Sequence, residues 1–177
     1  MKITLVTGNP NKLKELKVLA PKDMEFEARE IDLPEIQSLD LRAIVEDKVK
    51  KAYAIVKSPV IVEDVSAGLD DLADLPGPFY KFLRERLGDI ILVKLAAIAS
   101  DKVTIRCLAA YYDGQQMLFG EGVLVGKVVE PRGENGFGFD PVVVPTGGDR
   151  TMAQMQPEEK NKISHRSQAF KKLLEQL

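Results

Sequence analysis

One cysteine and one histidine, Cys107 and His165, are all that this 177-residue chain has of either type. A lone cysteine excludes an internal disulfide and offers no paired spacing for a cysteine-held metal. Cys107 lies in an apolar, strand-like run, where a core position is expected. An excess of one charge is missing too. A net charge of −2, with acids and bases interspersed, argues against a wide nucleic-acid footprint but not against a local basic pocket. No apolar stretch approaches the roughly 20 residues that span a bilayer. MKITLVTG enters a strand directly, without the layout of a signal peptide. The default expectation is a cytoplasmic, reduced setting, with neither a membrane nor a nucleic-acid polymer as partner. Repeats, low-complexity tracts and linkers are also lacking, so residues 1–177 read as a single domain. A 45% hydrophobic share with 29% charged residues is ordinary for a soluble globular protein, long enough to bury about two-thirds of its unfolded surface.

What is present centres on Ser58 to Pro78. Pro59-Val60-Ile61-Val62 is short, apolar and β-branched, the composition of a strand buried in an α/β sheet. The run is expected to stop at Glu63-Asp64. In open α/β sheets ligands sit outside the carboxyl ends of the strands. Acids there can hold a hard cation or take a proton from water, or they can simply end the strand in solvent.

Earlier in the chain, Lys2 to Val6 reads as a strand, Thr7-Gly8-Asn9-Pro10-Asn11 as a loop and Lys12 to Leu19 as an amphipathic helix. Strand, glycine loop and helix can present N–H groups to phosphate, with Lys12 as the nearby cation. The loop lacks the P-loop pattern, and a plain turn fits it as well. Met24 to Ile31 alternates as a half-buried strand, followed by a loop carrying Glu35 behind Pro34. Arg42 to Val56 has the spacing of a helix, with Lys48 off its buried stripe.

After the acid pair, Phe79, Phe82, Leu83 and Leu87 are spaced as the core face of a helix, and Ile90 to Ala99 as a second buried helix. Lys102–Tyr112 and Gln115–Val129 read as two long strands. Asp113-Gly114 between them is a hairpin turn, which makes the sheet mixed. Gly133 to Asp140 is glycine-rich and carries Phe137 and Phe139, one expected in the core and one available to stack on a base. Lys160, Ser164, His165 and Arg166 then gather donors suited to an anion or a carbonyl-rich ring. The closing helix has Ala169, Phe170, Leu173, Leu174 and Leu177 as its buried stripe.

Taken in order, TGNPNK, DLPE, VED before LPGP, GFGFDP and EKNKISHR resemble the inosine triphosphate pyrophosphatase family, from residue 4 to about 170. The resemblance implies an α/β fold: an elongated mixed sheet flanked by helices, with two lobes around a central cleft, in an ITPase-like, anticodon-binding-like topology. It also implies a homodimer. The implied activity is Mg²⁺-dependent hydrolysis of ITP, dITP or XTP to the monophosphate and pyrophosphate. Thr7, Gly8, Asn9 and Lys12 would hold the triphosphate, with Lys48 matching the family's helix lysine. Glu35, Asp64 and neighbouring Glu63 would hold the metal, and Asp64 would accept a proton from the attacking water. Phe137 would stack on the base. Gly138, Phe139, Asp140, Lys160, Ser164, His165 and Arg166 would complete the base and sugar-phosphate contacts. Two positions depart from the family: Val65 stands where Ser or Thr is usual, and Gln154 where Glu is common. A purine-nucleotide-binding module without turnover is the alternative. Retention of all three acids speaks against it, since like charges are costly to gather without a cation. An enzyme for modified pyrimidine triphosphates fits the opening strand, loop and helix but not KNKISHR.

Overall fold

The computed structural model describes residues 2–177. The expected β-branched strand is present, but it does not stop at the acids. It runs from Val60 to Leu69, through Glu63 and Asp64. Side chains alternate along a strand, so the two carboxylates point to opposite faces of the sheet. Extension past the acids is possible because each finds a cation on its own face.

In chain order the elements are β1 (Lys2–Val6), α1 (Pro10–Leu19), β2 (Glu25–Arg29), α2 (Leu41–Val56), β3 (Val60–Leu69), β4 (Pro76–Gly77), α3 (Tyr80–Leu87), α4 (Ile91–Ala96), β5 (Lys102–Tyr112), β6 (Met117–Val128), β7 (Val143–Pro145), α5 (Pro157–Ile163) and α6 (His165–Leu174). The sheet has seven strands in the order β2-β1-β3-β5-β6-β7, with β4 beside β3. β1 pairs in parallel with β2 and β3, whereas β3–β4 and β6–β7 are antiparallel. The mixed sheet flanked by helices is the fold class expected from the sequence. Among the described residues no helix is long and apolar enough to cross a membrane.

Two compact units make up the chain. One comprises the chain up to Val65, Cys107–Gly122 and His165–Leu177; the other comprises Ser66–Arg106 and Val123–Ser164. In the first unit the strands alternate between two cores. Ile3, Leu5, Ile61, Cys107 and Ala109 face α1 and α6, packing on Leu16, Phe170 and Leu173. Val6, Val60, Val62, Leu108 and Ala110 face α2, packing on Val45, Val49 and Ala52. By the same parity Glu63 lies on the α1/α6 side with Ile61, and Asp64 on the α2 side with Val62.

In the second unit the expected stripe on α3 is out of phase. Tyr80 is the buried residue of that helix, while Phe82 and Leu87 are exposed. Two residues turn a helix by about 200°, so burying Tyr80 carries Phe82 to the outer side. The second helix is shorter than its apolar run, covering only Ile91–Ala96 with Ile91 and Leu92 buried. Phe139 is the loop phenylalanine in the core, against Tyr80 at 5.7 Å between ring centres.

Candidate active site

The β1–α1 loop is built by side-chain caps. Thr7 Oγ1 accepts from the Asn9 N–H at 3.0 Å, and Asn9 Oδ1 accepts from the Asn11 N–H at 3.0 Å. Asn9 is thus the N-cap of α1, and Pro10 opens the helix, where its missing N–H is not needed. No acid occupies the first turn. Lys12 projects from that turn and pairs with the carboxylate of Glu63.

Glu63 is 4% exposed and Arg166 only 5%. Arg166 Nε donates to Glu63 Oε2 at 3.2 Å, and Arg166 Nη1 donates to Glu15 Oε2 at 3.2 Å. The Cys107 thiol donates to Glu63 Oε2 at 3.3 Å. Burial works against charge on Glu63, but Lys12 and Arg166 outweigh it and hold the carboxyl well below the usual glutamate range. Burial also opposes the Arg166 charge, and Glu63 reverses that, strengthening its hold on the proton. The Cys107 thiol is pushed far up by burial, then by Glu63, so it stays protonated as a donor. Glu63, expected among the metal ligands, has its oxygens paired with Lys12, Arg166 and Cys107.

On the other face, Glu35 and Asp64 converge on a single cation. Lys48 Nζ lies 2.5 Å from Glu35 Oε1 and 3.2 Å from Asp64 Oδ2. The Val65 N–H donates to Asp64 Oδ1 at 2.8 Å, which fixes the carboxylate. Lys51 donates to the carbonyl of Pro34 at 2.8 Å and ties down the loop that presents Glu35. Burial pushes the Asp64 carboxyl up. Lys48 pulls it down, the charges of Glu63 and Glu35 push it up again, and the net shift is upward. Burial opposes charge on Lys48, yet Asp64 and Glu35 prevail and raise its pKa. Among the described residues no three His, Cys, Asp or Glu side chains form a group that could hold a metal. Two carboxylates that already share a cation nevertheless suit a hard ion completed by water and substrate oxygens.

In the second unit, Asp140 organises the glycine-rich loop. Its Oδ2 accepts from the Phe137 N–H at 2.7 Å and from Lys160 Nζ at 2.8 Å. Gly136 has φ 83°, and a Cβ there would overlap the Asp140 carboxylate. Lys160 Nζ lies 4.9 Å from the centre of the Phe137 ring, a cation–π contact. Asp140 and Lys160 are both buried, and Ser164, also buried, closes α5. His165 and Arg166 open α6, where both are buried, and belong to the first unit. Gln154 takes a local role: its Oε1 accepts from the Thr151 N–H at 2.9 Å, capping a short turn. Sequence reasoning missed Glu15, which lies three residues after Lys12 on the same side of α1, a usable signal.

The sequence profile of the Ham1 family matches residues 3–176. "Inosine triphosphate pyrophosphatase 2" of Trypanosoma cruzi is 42% identical over 96% of this chain and 88% of its own. "Inosine triphosphate pyrophosphatase" of Yarrowia lipolytica is 40% identical over 98% of this chain and 94% of its own. Among solved structures, a HAM1 protein from Coxiella burnetii superposes with a TM-score of 0.83 at 29% identity, covering 99% of this chain and 97% of that one. A nucleoside-triphosphatase titled dITP/XTP pyrophosphatase, from Mycobacterium abscessus, gives 0.71 at 27% identity, covering 94% and 95%. On the whole-length profile match and relatives at about 40% identity over nearly the full chain, this protein belongs to the Ham1 family.

Proposed function

We propose that this protein is a nucleoside triphosphate pyrophosphohydrolase that clears non-standard purine nucleotides (ITP, dITP and XTP) from the cytoplasmic pool, working with Mg²⁺ as one ITPase-like domain. The observation that carries the reading is the convergence of Glu35 and Asp64 on one cation position. The names of the relatives support the reaction class.

Glu35 and Asp64 would hold the Mg²⁺, which supplies charge neutralisation on the phosphate oxygens. Thr7, Gly8, Asn9 and Lys12 bind the triphosphate, with Lys48 as a further cation. Asp64 accepts a proton from the attacking water. A new P–O bond forms, the α–β phosphoanhydride bond breaks, and pyrophosphate leaves with the bonding electron pair. Phe137 packs on the base, while Gly138, Phe139, Asp140, Lys160 and Ser164 contact base and sugar. Arg166 and His165 present donors to the C6 oxygen of hypoxanthine or xanthine; adenine would face them with an amino group instead.

Product identity tests the reaction. With ITP and Mg²⁺, ³¹P NMR is expected to show IMP and pyrophosphate. Appearance of IDP and inorganic phosphate would overturn the assignment.

A further inference from the structure

Lys48 is anchored on both carboxylates at once, at 2.5 Å and 3.2 Å. A divalent cation bonded to the same oxygens would stand about 2.1 Å from each. It would occupy the space of the ammonium and repel it. The lysine projects from α2 and the acids from a loop and from β3, and one ammonium bridges the two carboxylates. We propose that Lys48 and the divalent cation are alternative occupants of one position, so that metal and nucleotide bind with positive coupling through this lysine. A bare cation must displace Lys48 with no new partner for its charge. A cation arriving with a triphosphate brings oxyanions onto which the ammonium can move. Lys48 is then a positioning residue that makes metal capture depend on substrate.

The inference rests on the metal role proposed above for Glu35 and Asp64. Binding of Mn²⁺ itself tests it, followed by electron paramagnetic resonance of the free ion, with and without α,β-imido-ITP. Bare Mn²⁺ is expected to bind Lys48→Met at least about tenfold more tightly than wild type, because the occupied fraction of the site no longer subtracts from affinity. The gain in Mn²⁺ affinity that the analogue confers on wild type should shrink by a similar factor in that variant. Lys48→Arg, which keeps the charge, should bind bare Mn²⁺ as weakly as wild type. Circular dichroism checks that each variant is folded, and should Lys48→Met fail it, Lys48→Gln replaces it with the same expectation. Equal Mn²⁺ affinity in the neutral variant and wild type, with both binding Mn²⁺ beside the analogue, would overturn the exchange. Absence of Mn²⁺ binding in every protein, analogue included, would overturn the metal role itself.

Discussion

Glu63 and Asp64 are neighbours in β3, yet their carboxylates serve opposite faces of the sheet. Glu63 meets Lys12 of α1 and Arg166 of α6; Asp64 meets Lys48 of α2. The pair is therefore two devices, not one acidic cluster. Glu63 is buried in an ionic network that ties two helices to the sheet. Asp64 shares a cation with a loop acid, Glu35.

Removing the Glu63 charge should damage the fold. In Glu63→Gln, Arg166 and Lys12 lose their buried counter-charge, and breaking such a pair costs about 3–5 kcal/mol. Urea unfolding reads this directly. The pH dependence follows from the sign. The folded-state carboxyl of Glu63 is held below its unfolded value, so its stabilisation is present above about pH 4.3 and fades as pH falls. Wild type should lose stability on acidification more steeply than Glu63→Gln; parallel pH curves would contradict this.

Asp64→Asn should act in the opposite sense. Turnover is expected to fall by about 10²–10⁴-fold, the range for losing a general base, with loss of metal binding adding to it. Stability at neutral pH should not fall. The raised carboxyl pKa means that ionisation of Asp64 opposes folding as pH rises past its unfolded value. Pyrophosphate release and a thermal melt on the same sample check both halves. An active Asn variant would contradict the role.

Arg166→Ala should show a split. KM should rise chiefly for ITP and XTP if the guanidinium reads the C6 oxygen. Stability should fall in any case, because Glu63 and Glu15 lose their shared partner. A destabilised variant with unchanged KM for every purine would leave Arg166 as a structural cation alone.

Tyr80→Phe should stabilise the protein. The Tyr80 hydroxyl is buried with no hydrogen-bond partner among the described residues, and burial pushes its pKa up to about 12. Leaving such a group unpaired costs about 1–3 kcal/mol. Removing it should recover about 1 kcal/mol in urea unfolding, and a less stable variant would show that the hydroxyl is satisfied.

Much of this was legible in the residues. Lys102 to Tyr112 is β-branched and aromatic up to Asp113-Gly114, and the strand has those bounds. Arg42 to Val56 carried a clear apolar stripe, and the helix runs Leu41–Val56. The end of β3 was not legible, because acids inside a strand look like a stop until their cations are known. One partner of Glu63, Arg166, lies 103 positions away, and no local pattern encodes such a pairing. The phase of α3 failed for a related reason: Tyr80 and Phe82 are equally apolar locally, and the loop carrying Phe139 decides which one is buried.

Initial rates of pyrophosphate release from ITP, XTP, GTP and ATP, with Mg²⁺ and wild-type protein, read the base preference of the site. ITP and XTP should be turned over far faster than ATP. Equal rates on all four purines, or no pyrophosphate from any of them, would contradict this.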